Sequence, residues 1–535
     1  MKSKLTREYI LPKRIVMEKF TENKEVLLVN DTVQAMVDAK NFCTIKKNGY
    51  IILDFGKELQ GGLNITVHLT GEEESGKLRI VFGESIAEAL SDVGIKGATN
   101  DHSMRDFVVE VPTRSNFDCG KTGFRFCRLE VLNSEIQLIS TQAVFVYRDI
   151  AYKGSFVCDN ERLNEIWKTG AYTVHLNMQD YLWDGIKRDR LVWVGDMHPE
   201  TSVISAVFGY DETVPKSLDL IREETPVTQW MDGIPAYSMW WLKIHRDWYM
   251  QNGNLAYLRE QEEYIAALLE KLFAVIREDG TNCIEYKFVD WSSYQTDSAD
   301  AGVHAMLMIA MKAGEELCTF LGRLELAGKC REKQAILKRI HPFYDNKQVA
   351  GLLAYSGANR DSEIMEYIRT NPLQGLSTFM GFYVLYAYYL AGDMDGAFRV
   401  IENYWGAMLD LGATTFWEDF DLAWAENACG IDEVPSEGKQ DVHGEHGKFC
   451  YCGFRHSLCH GWAGGPTAFL SRCVLGIEIL EPGCKTVRIT PHLGKLNFAR
   501  GTYPTPYGLI AVEHTRINGK IETKVNAPKE ITVLK

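Results

Sequence analysis

The sequence predicts a mainly α protein: a large helical body over residues 151–475, flanked by an N-terminal β-sandwich domain over 1–150 and a small C-terminal β-sandwich domain over 476–535. Three observations predict it. Apolar and polar residues alternate in short runs from about residue 25 to 150, the spacing turns helical from about 160 to 475, and short alternating runs return after Glu481, Pro482 and Gly483. A chain of 535 residues exceeds one ordinary core, so it needs several domains or one large closed ring of helices.

The first region reads as GYIILDFG, GGLNITVHLTG, GKLRIVFGES, MRDFVVEVP, GFRFCRLEVL and STQAVFVYR, broken by Gly, Asn and Asp, the pattern of an antiparallel β domain. Asp159 and Asn160 offer an N-cap where the period changes. Segments such as ERLNEIWKTGAYTVHLNMQ, AYSMWWLKIHRDWYMQNG, VHAMLMIAMKAGEELCTFLGRLELAG and TFMGFYVLYAYYLAG then follow with short connections, giving roughly ten to twelve helices before residue 475. Several are apolar over much of their circumference and should be covered on more than one side. TVRITPHLG, LNFARGTYPTPYG, LIAVEHTRING, KIETKVNA and EITVLK read as the closing strands.

Composition narrows the partners. Lys+Arg 58 against Asp+Glu 72 leaves a net charge of −14, which argues against nucleic acid or anionic membrane and favours a neutral ligand. Twelve Trp, 24 Tyr and 24 Phe supply flat apolar surface that suits sugar rings, although most aromatics fill cores. MKSKLTREYILPKRIV lacks a signal-peptide apolar run, and thirteen scattered Cys fit reduced thiols, so the chain reads as cytoplasmic; a trimmed export signal would make it periplasmic. Oligomeric state is not readable.

Three constellations carry chemistry. DGIKRDRLVWVGD places Asp184, Asp189 and Asp196 among Lys187, Arg188 and Arg190 around Trp193. Acetal hydrolysis needs one carboxyl to protonate the leaving oxygen and another to activate water or attack the sugar, but a capping loop with surface ion pairs has the same spacing. GATTFWEDFD sets Glu418 among Trp417 and Phe420, where a carboxylate is readily desolvated; an aromatic-rich exposed turn reads equally well. Asp290, Trp291 and Trp240 could wall a sugar site, with core packing the plainer reading for Trp240. HGEHGKFCYCGFRHSLCHG gathers His443, His446, Cys450, Cys452, His456, Cys459 and His460, but C-x-C points its side chains to opposite faces and the C-x2-C knuckle is missing, so zinc is the lesser reading. No phosphate loop and no G-x-S-x-G elbow is present.

These motifs resemble a known family. DGIKRDRLVWVGD is similar to the D-C-P-x-R-[ED]-R-x-G-W-x-G-D signature of glycoside hydrolase family 78, the bacterial α-L-rhamnosidases, with Asp184, Arg188, Arg190, Trp193, Gly195 and Asp196 in register. GATTFWEDFD and HSLCHGWAGGP resemble two further segments of that family, and LDFGKELQGGLNITV and ARGTYPTPYG its flanking β domains, so the likeness spans nearly the whole chain. It implies an (α/α)6 barrel catalytic domain that hydrolyses terminal α-L-rhamnosides with inversion and without a cofactor or metal. In that scheme Glu418 is the general base and Asp189 the general acid, while Asp184, Arg188, Trp193, Asp196, Trp291 and His460 hold the sugar.

The sequence departs from the pattern at the acid, where the family usually carries Glu and this chain has Asp189, and at Gly185 and Ile186, which replace Cys-Pro. One methylene is about 1.5 Å of reach, and ~1 Å of misplacement can cost about 100-fold. Three readings follow: a shifted backbone that restores the reach, a pocket for another sugar, or low activity, down to a weakly active or non-catalytic carbohydrate binder. A glycoside phosphorylase would replace the base with a phosphate site, and Glu418 argues against it.

Overall fold

The computed structural model describes residues 4–71 and 75–534, so the start of MKSKL and the last residue of EITVLK lie outside the described residues. Its first strand-rich region is a seven-stranded sheet in the order Leu5–Ile10, Ile136–Arg148, Cys43–Val67, Asn116–Val131, Ser75–Gly83 and Asp106–Pro112, with Arg14–Glu22 paired to Cys43–Val67. Two features differ from the sequence reading. Strands already form before residue 25, and GYIILDFG and GGLNITV join into one strand of 25 residues. The glycines that read as breaks are bulges: register shifts fall between Asp54 and Leu59 and between Gly61 and Leu63. Gly61, at φ 150°, lies so close to the neighbouring strand that a Cβ would sit 1.8 Å from the Val144 carbonyl oxygen. Where Cys43–Val67 pairs with Ile136–Arg148 the partners run in opposite directions, from Gly61 opposite Phe145 to Thr66 opposite Ser140.

The helical region begins as the capping signal requires. The Asn160 side chain accepts from the N–H groups of Arg162 and Leu163 at the head of helix Glu161–Asn177, a cap worth about 1 kcal/mol. That helix ends at Asn177, before Tyr181, and turns occupy the stretch to Met197, where the next helix starts. Among the described residues helices then run through Pro235–Asn252, Ala299–Leu321, Lys347–Ser356 and Gly381–Leu390 to Gly465–Phe469. Gly381–Leu390 buries Phe382, Tyr383, Val384, Leu385, Ala387 and Tyr388, the all-round burial its composition called for. Trp240 is core, packed flat against both His198 and Tyr383 at ring separations of 4.8 and 5.1 Å.

The last region holds two small sheets. Ile477–Ile479, Thr486–Ile489 and Thr532–Leu534 form one; Lys520–Asn526, Gly508–Ile517, Phe498–Thr505 and Ser155–Cys158 form the other. The strand Ser155–Cys158 comes from just ahead of the first long helix, so the chain leaves the N-terminal sheet by way of the C-terminal one. No helix among the described residues is long and apolar enough to cross a membrane.

Candidate active site

The stretch from Asp184 to Asp196 is not a surface loop. Its backbone is stitched to the segment that carries His460: Gly185 bridges His460, and the Gly461 N–H donates to the Asp184 carbonyl at 2.7 Å. Within the stretch, the Leu191 N–H donates to Asp184 Oδ1 at 2.9 Å, closing a turn that Asp189 and Arg190 negotiate with left-handed backbone, φ 53° and 58°. Two consecutive non-glycine residues in that region cost about 1–3 kcal/mol each, strain that gathers at functional sites. Gly195 is required for contact: a Cβ there would meet the Tyr237 ring at 2.2 Å.

The strand-rich N-terminal region fixes the other motifs. The Arg125 guanidinium, paired with Asp54 at 2.9 Å, donates to the Gly412 carbonyl, and the Glu58 N–H donates to Thr414 Oγ1 at 2.9 Å. Thr415 Oγ1 then donates to the Leu458 carbonyl at 2.7 Å, and the Glu418 N–H to the Ser457 carbonyl at 2.9 Å. The Gly-Ala-Thr-Thr motif is thus a strap between the sheet and the segment 456–460.

These segments meet at a cavity of about 570 Å³, lined by Asp184, Arg188, Asp189, Trp193, Asp196, Trp291, Glu418 and His460. Every residue given a site role through the family resemblance lines it, whereas Asp290 lines a neighbouring cavity and Trp240 is core. Arg188 is the centre of the geometry: Nη1 donates to Asp189 Oδ1 at 3.0 Å, Nη2 to Glu418 Oε1, and Nε to the Arg455 carbonyl at 3.0 Å. Burial opposes its charge, but the Glu418 and Asp189 carboxylates outweigh that and hold the guanidinium protonated. Glu418 Oε2 takes the Ser457 N–H at 3.1 Å, and Trp193 Nε1 donates to Asp189 Oδ2 at 3.1 Å.

The opposite wall disfavours charge. Burial, reinforced by Asp189 for Asp184 and by Asp184 for Asp196, pushes both carboxyls well above the usual range. Burial, then Arg188, pushes His460 down to about 3, so its ring is neutral. Its Nε2 lies 3.1 Å from Asp196 Oδ2, while Nδ1, 3.8 Å from Glu418 Oε1, has no hydrogen-bond partner among the described residues. Two carboxyls bridged by an arginine on one side, and a neutral imidazole beside buried carboxyls on the other, suit a neutral, hydroxyl-rich ligand in a narrow aromatic pocket.

The chain matches the bacterial alpha-L-rhamnosidase 6 hairpin glycosidase domain over residues 151–344 and the bacterial alpha-L-rhamnosidase C-terminal domain over 476–534. Its helical region and its last strand-rich region are thus similar to those of bacterial α-L-rhamnosidases. An α-L-rhamnosidase of Alteromonas sp. is 22% identical over 548 residues, covering 90% of this chain and 55% of that protein, so the chain spans about half the length of this curated relative. The family 78 rhamnosidase of Bacillus sp. GL1 shares the fold at a TM-score of 0.74 and 21% identity, covering 95% of this chain and 55% of that one. A Klebsiella oxytoca rhamnosidase, solved with rhamnose bound, matches at 0.70 and 19%, covering 88% of this chain and 96% of that one. These likenesses support a helical six-hairpin region accompanied by strand-rich ones.

Sequence reasoning missed several lining residues. Tyr237, whose hydroxyl is 3.4 Å from Asp196 Oδ1, and Asp232, whose carboxyl burial pushes up to about 7, lie at or near GIPAYSMWW without any spacing that marks them. Cys450 was in view only as a possible zinc ligand, and Tyr451 only as its neighbour. Those ligands separate: His443 Nε2 reaches the His456 carbonyl, His456 Nε2 accepts the Asp419 N–H, His446 stacks on Trp424, and His460 serves the cavity. The one compact buried trio among the described residues, Glu84, Glu88 and His443, surrounds the Lys187 ammonium, which lies 2.9 Å from Glu84 and 3.4 Å from Glu88 and so fills the place a cation would take.

Proposed function

We propose that this chain hydrolyses terminal α-L-rhamnosides, or glycosides of a closely related sugar, with inversion at the anomeric carbon. The observation that carries the reading is Arg188, whose two terminal nitrogens hold Asp189 and Glu418, carboxylates from separate motifs, on either side of one guanidinium facing one cavity. An inverting enzyme needs its two carboxyl groups ~6.5 to 9.5 Å apart to admit water, and an interposed guanidinium prevents their direct approach. Asp189 protonates the glycosidic oxygen as the bond to the anomeric carbon breaks. Glu418 takes a proton from the water that attacks the opposite face. Asp184, Asp196 and His460 take the sugar hydroxyls, Trp193 and Trp291 cover its apolar faces, and Arg188 fixes both carboxyls and stabilises the charge on Glu418.

The left-handed backbone at Asp189 and Arg190 supports the first reading of the Glu-to-Asp departure, a shifted backbone that compensates for the shorter side chain. On the same footing we propose that the helices of 151–475 close into an (α/α)6 barrel and that the flanking regions, 1–150 and 476–535, are sandwiches. The rhamnose-bound Klebsiella oxytoca relative and the Streptomyces avermitilis enzyme complexed with L-rhamnose support the choice of sugar.

The test is turnover of aryl α-L-rhamnoside beside a panel of other aryl glycosides. Rhamnoside turnover is expected. Turnover of another glycoside alone would keep the chemistry and change the sugar; silence across the panel with rhamnose still bound would replace the hydrolase with a carbohydrate binder.

A further inference from the structure

Asp189 has three side-chain partners, and one of them comes from outside the helical region. His102 Nε2 lies 3.3 Å from Asp189 Oδ1, the oxygen that also accepts from Arg188 Nη1. His102 belongs to the loop ahead of strand Asp106–Pro112 in the N-terminal sheet and stands in left-handed backbone, φ 61°, so left-handed non-glycine residues face each other across this contact. The loop is braced to deliver it. Asn100 Oδ1 accepts the N–H groups of Arg105 and Asp106, each at 3.1 Å, and Ser103 Oγ, next to His102, donates to the Lys187 carbonyl at 2.8 Å. Asp101, on the other flank, is 3.6 Å from Arg455. The charged groups around the contact are therefore Asp189, Arg188, Asp101 and Arg455.

The other two partners of Asp189 can donate hydrogen bonds but cannot surrender a proton near neutral pH: Arg188 is a guanidinium and Trp193 an indole N–H. An inverting cycle leaves the acid without its proton and the base with one too many, so the acid must be reloaded each turnover. Histidine is the side chain suited to that task near neutral pH, and the His102 side chain is 33% exposed whereas Asp189 is 18% exposed.

We propose that His102 is the proton relay that recharges Asp189, an inference that rests on the acid role proposed above. The imidazolium of His102 gives its Nε2 proton to Asp189 Oδ1. Asp189 passes a proton to the glycosidic oxygen, which leaves with the bonding electron pair as the aglycone hydroxyl. Water oxygen forms the new bond to the anomeric carbon and its proton goes to Glu418. His102 then takes a proton from solvent, and Glu418 returns one to solvent, which closes the balance. His102 touches no substrate and acts through Asp189.

The experiment compares wild type and His102→Ala on an alkyl α-L-rhamnoside, whose poor leaving group needs the acid, and on an activated aryl rhamnoside, which needs it little. His102→Ala is expected to lose on the order of 10- to 100-fold in kcat on the alkyl substrate, with KM held and little change on the aryl one. Added imidazole should restore the alkyl rate, with rescue following the pKa of the added base across a series of substituted imidazoles. Wild-type kcat in His102→Ala on the alkyl substrate, or a loss that imidazole does not repair, overturns the relay and leaves the acid role standing. If wild type hydrolyses neither rhamnoside, the hydrolase reading and the relay fall together.

Discussion

The two strand-rich regions are joined to the helices in different ways. The C-terminal sheets share the helices' core: Val487, Ile489, Ala499, Tyr503, Ile510 and Val512 belong to one continuous apolar cluster with the helical residues. The N-terminal sheet keeps a core of its own, and the helical region contributes to it Leu176, Ile186 and Cys459. Ile186 lies in the stretch that carries Arg188 and Asp189, and Cys459 precedes His460. The N-terminal sheet therefore packs against the segments that carry the candidate site, whereas the C-terminal sheets pack into the core of the helices. Two regions of the same secondary-structure class, attached to the same body, differ in whether their loss would be felt as lost chemistry or as lost stability.

Polar contacts sharpen the contrast. Lys187, buried at the N-terminal interface, donates to the carbonyls of Phe454 and His456 at 2.9 and 2.6 Å and pairs with Glu84, which accepts the Leu458 N–H at 2.7 Å. That same segment presents the Ser457 N–H to Glu418. At the C-terminal interface one side-chain link is Tyr503, whose hydroxyl donates to Gln251 Oε1 at 2.8 Å, and neither residue lines the cavity.

The largest effect should fall on the cavity itself. Glu418→Gln is expected to lower kcat on aryl rhamnoside by about 10²–10⁴-fold with rhamnose binding retained, read by steady-state kinetics beside ligand titration; near-normal turnover would remove Glu418 from the base role. Next comes the N-terminal interface. Lys187→Met leaves Glu84 buried without its cation and Glu88 with only Arg105, 3.9 Å away, a change that costs about 3–5 kcal/mol in denaturant unfolding, and kcat should fall as the Ser457 contact to Glu418 loosens. Replacing Glu84 by Gln in the same variant should return part of the stability.

Tyr503→Phe at the C-terminal interface should cost only about 0.5–1.5 kcal/mol and leave kcat unchanged. A kcat loss there like that of Lys187→Met would erase the distinction between the two regions. The last effect is protonic and is felt only in acid. With its folded-state value pushed from 6.5 to about 3, His460 should show no imidazole titration by NMR above pH ~4. Because the folded value lies below the unfolded one, the unfolded chain binds this proton first; the share of stability from His460 is whole above pH ~6.5 and drains away as the pH falls towards 3. Titration of His460 near 6.5 would mean that its environment is wetter than described.

Much of this was legible in the sequence wherever the signal is local. The Asn160 cap, the helical periods and the three motifs are contiguous, and their residues converge on one cavity. What was not legible depends on partners distant along the chain. The bulged strand Cys43–Val67 reads as two because its glycines look like turns until the neighbouring strand is present. Ser155–Cys158 carries no mark of its pairing with Phe498–Thr505. Tyr237 is one aromatic among many, and His102 is a lone histidine in a polar loop until the fold sets it against Asp189. The charge of DGIKRDRLVWVGD was visible from the start, but only the fold shows Arg188 dividing its reach between two carboxylates.

The most direct test of the account is the anomeric form of the sugar first released by the wild-type enzyme from aryl α-L-rhamnoside, followed by proton NMR within the first minutes, before mutarotation mixes the anomers. The account predicts that β-L-rhamnose appears first and the α anomer grows in later. If α-L-rhamnose is released first, the carboxyl across from Asp189 acts as a nucleophile rather than a base, and the roles assigned to Glu418 and Arg188 are contradicted.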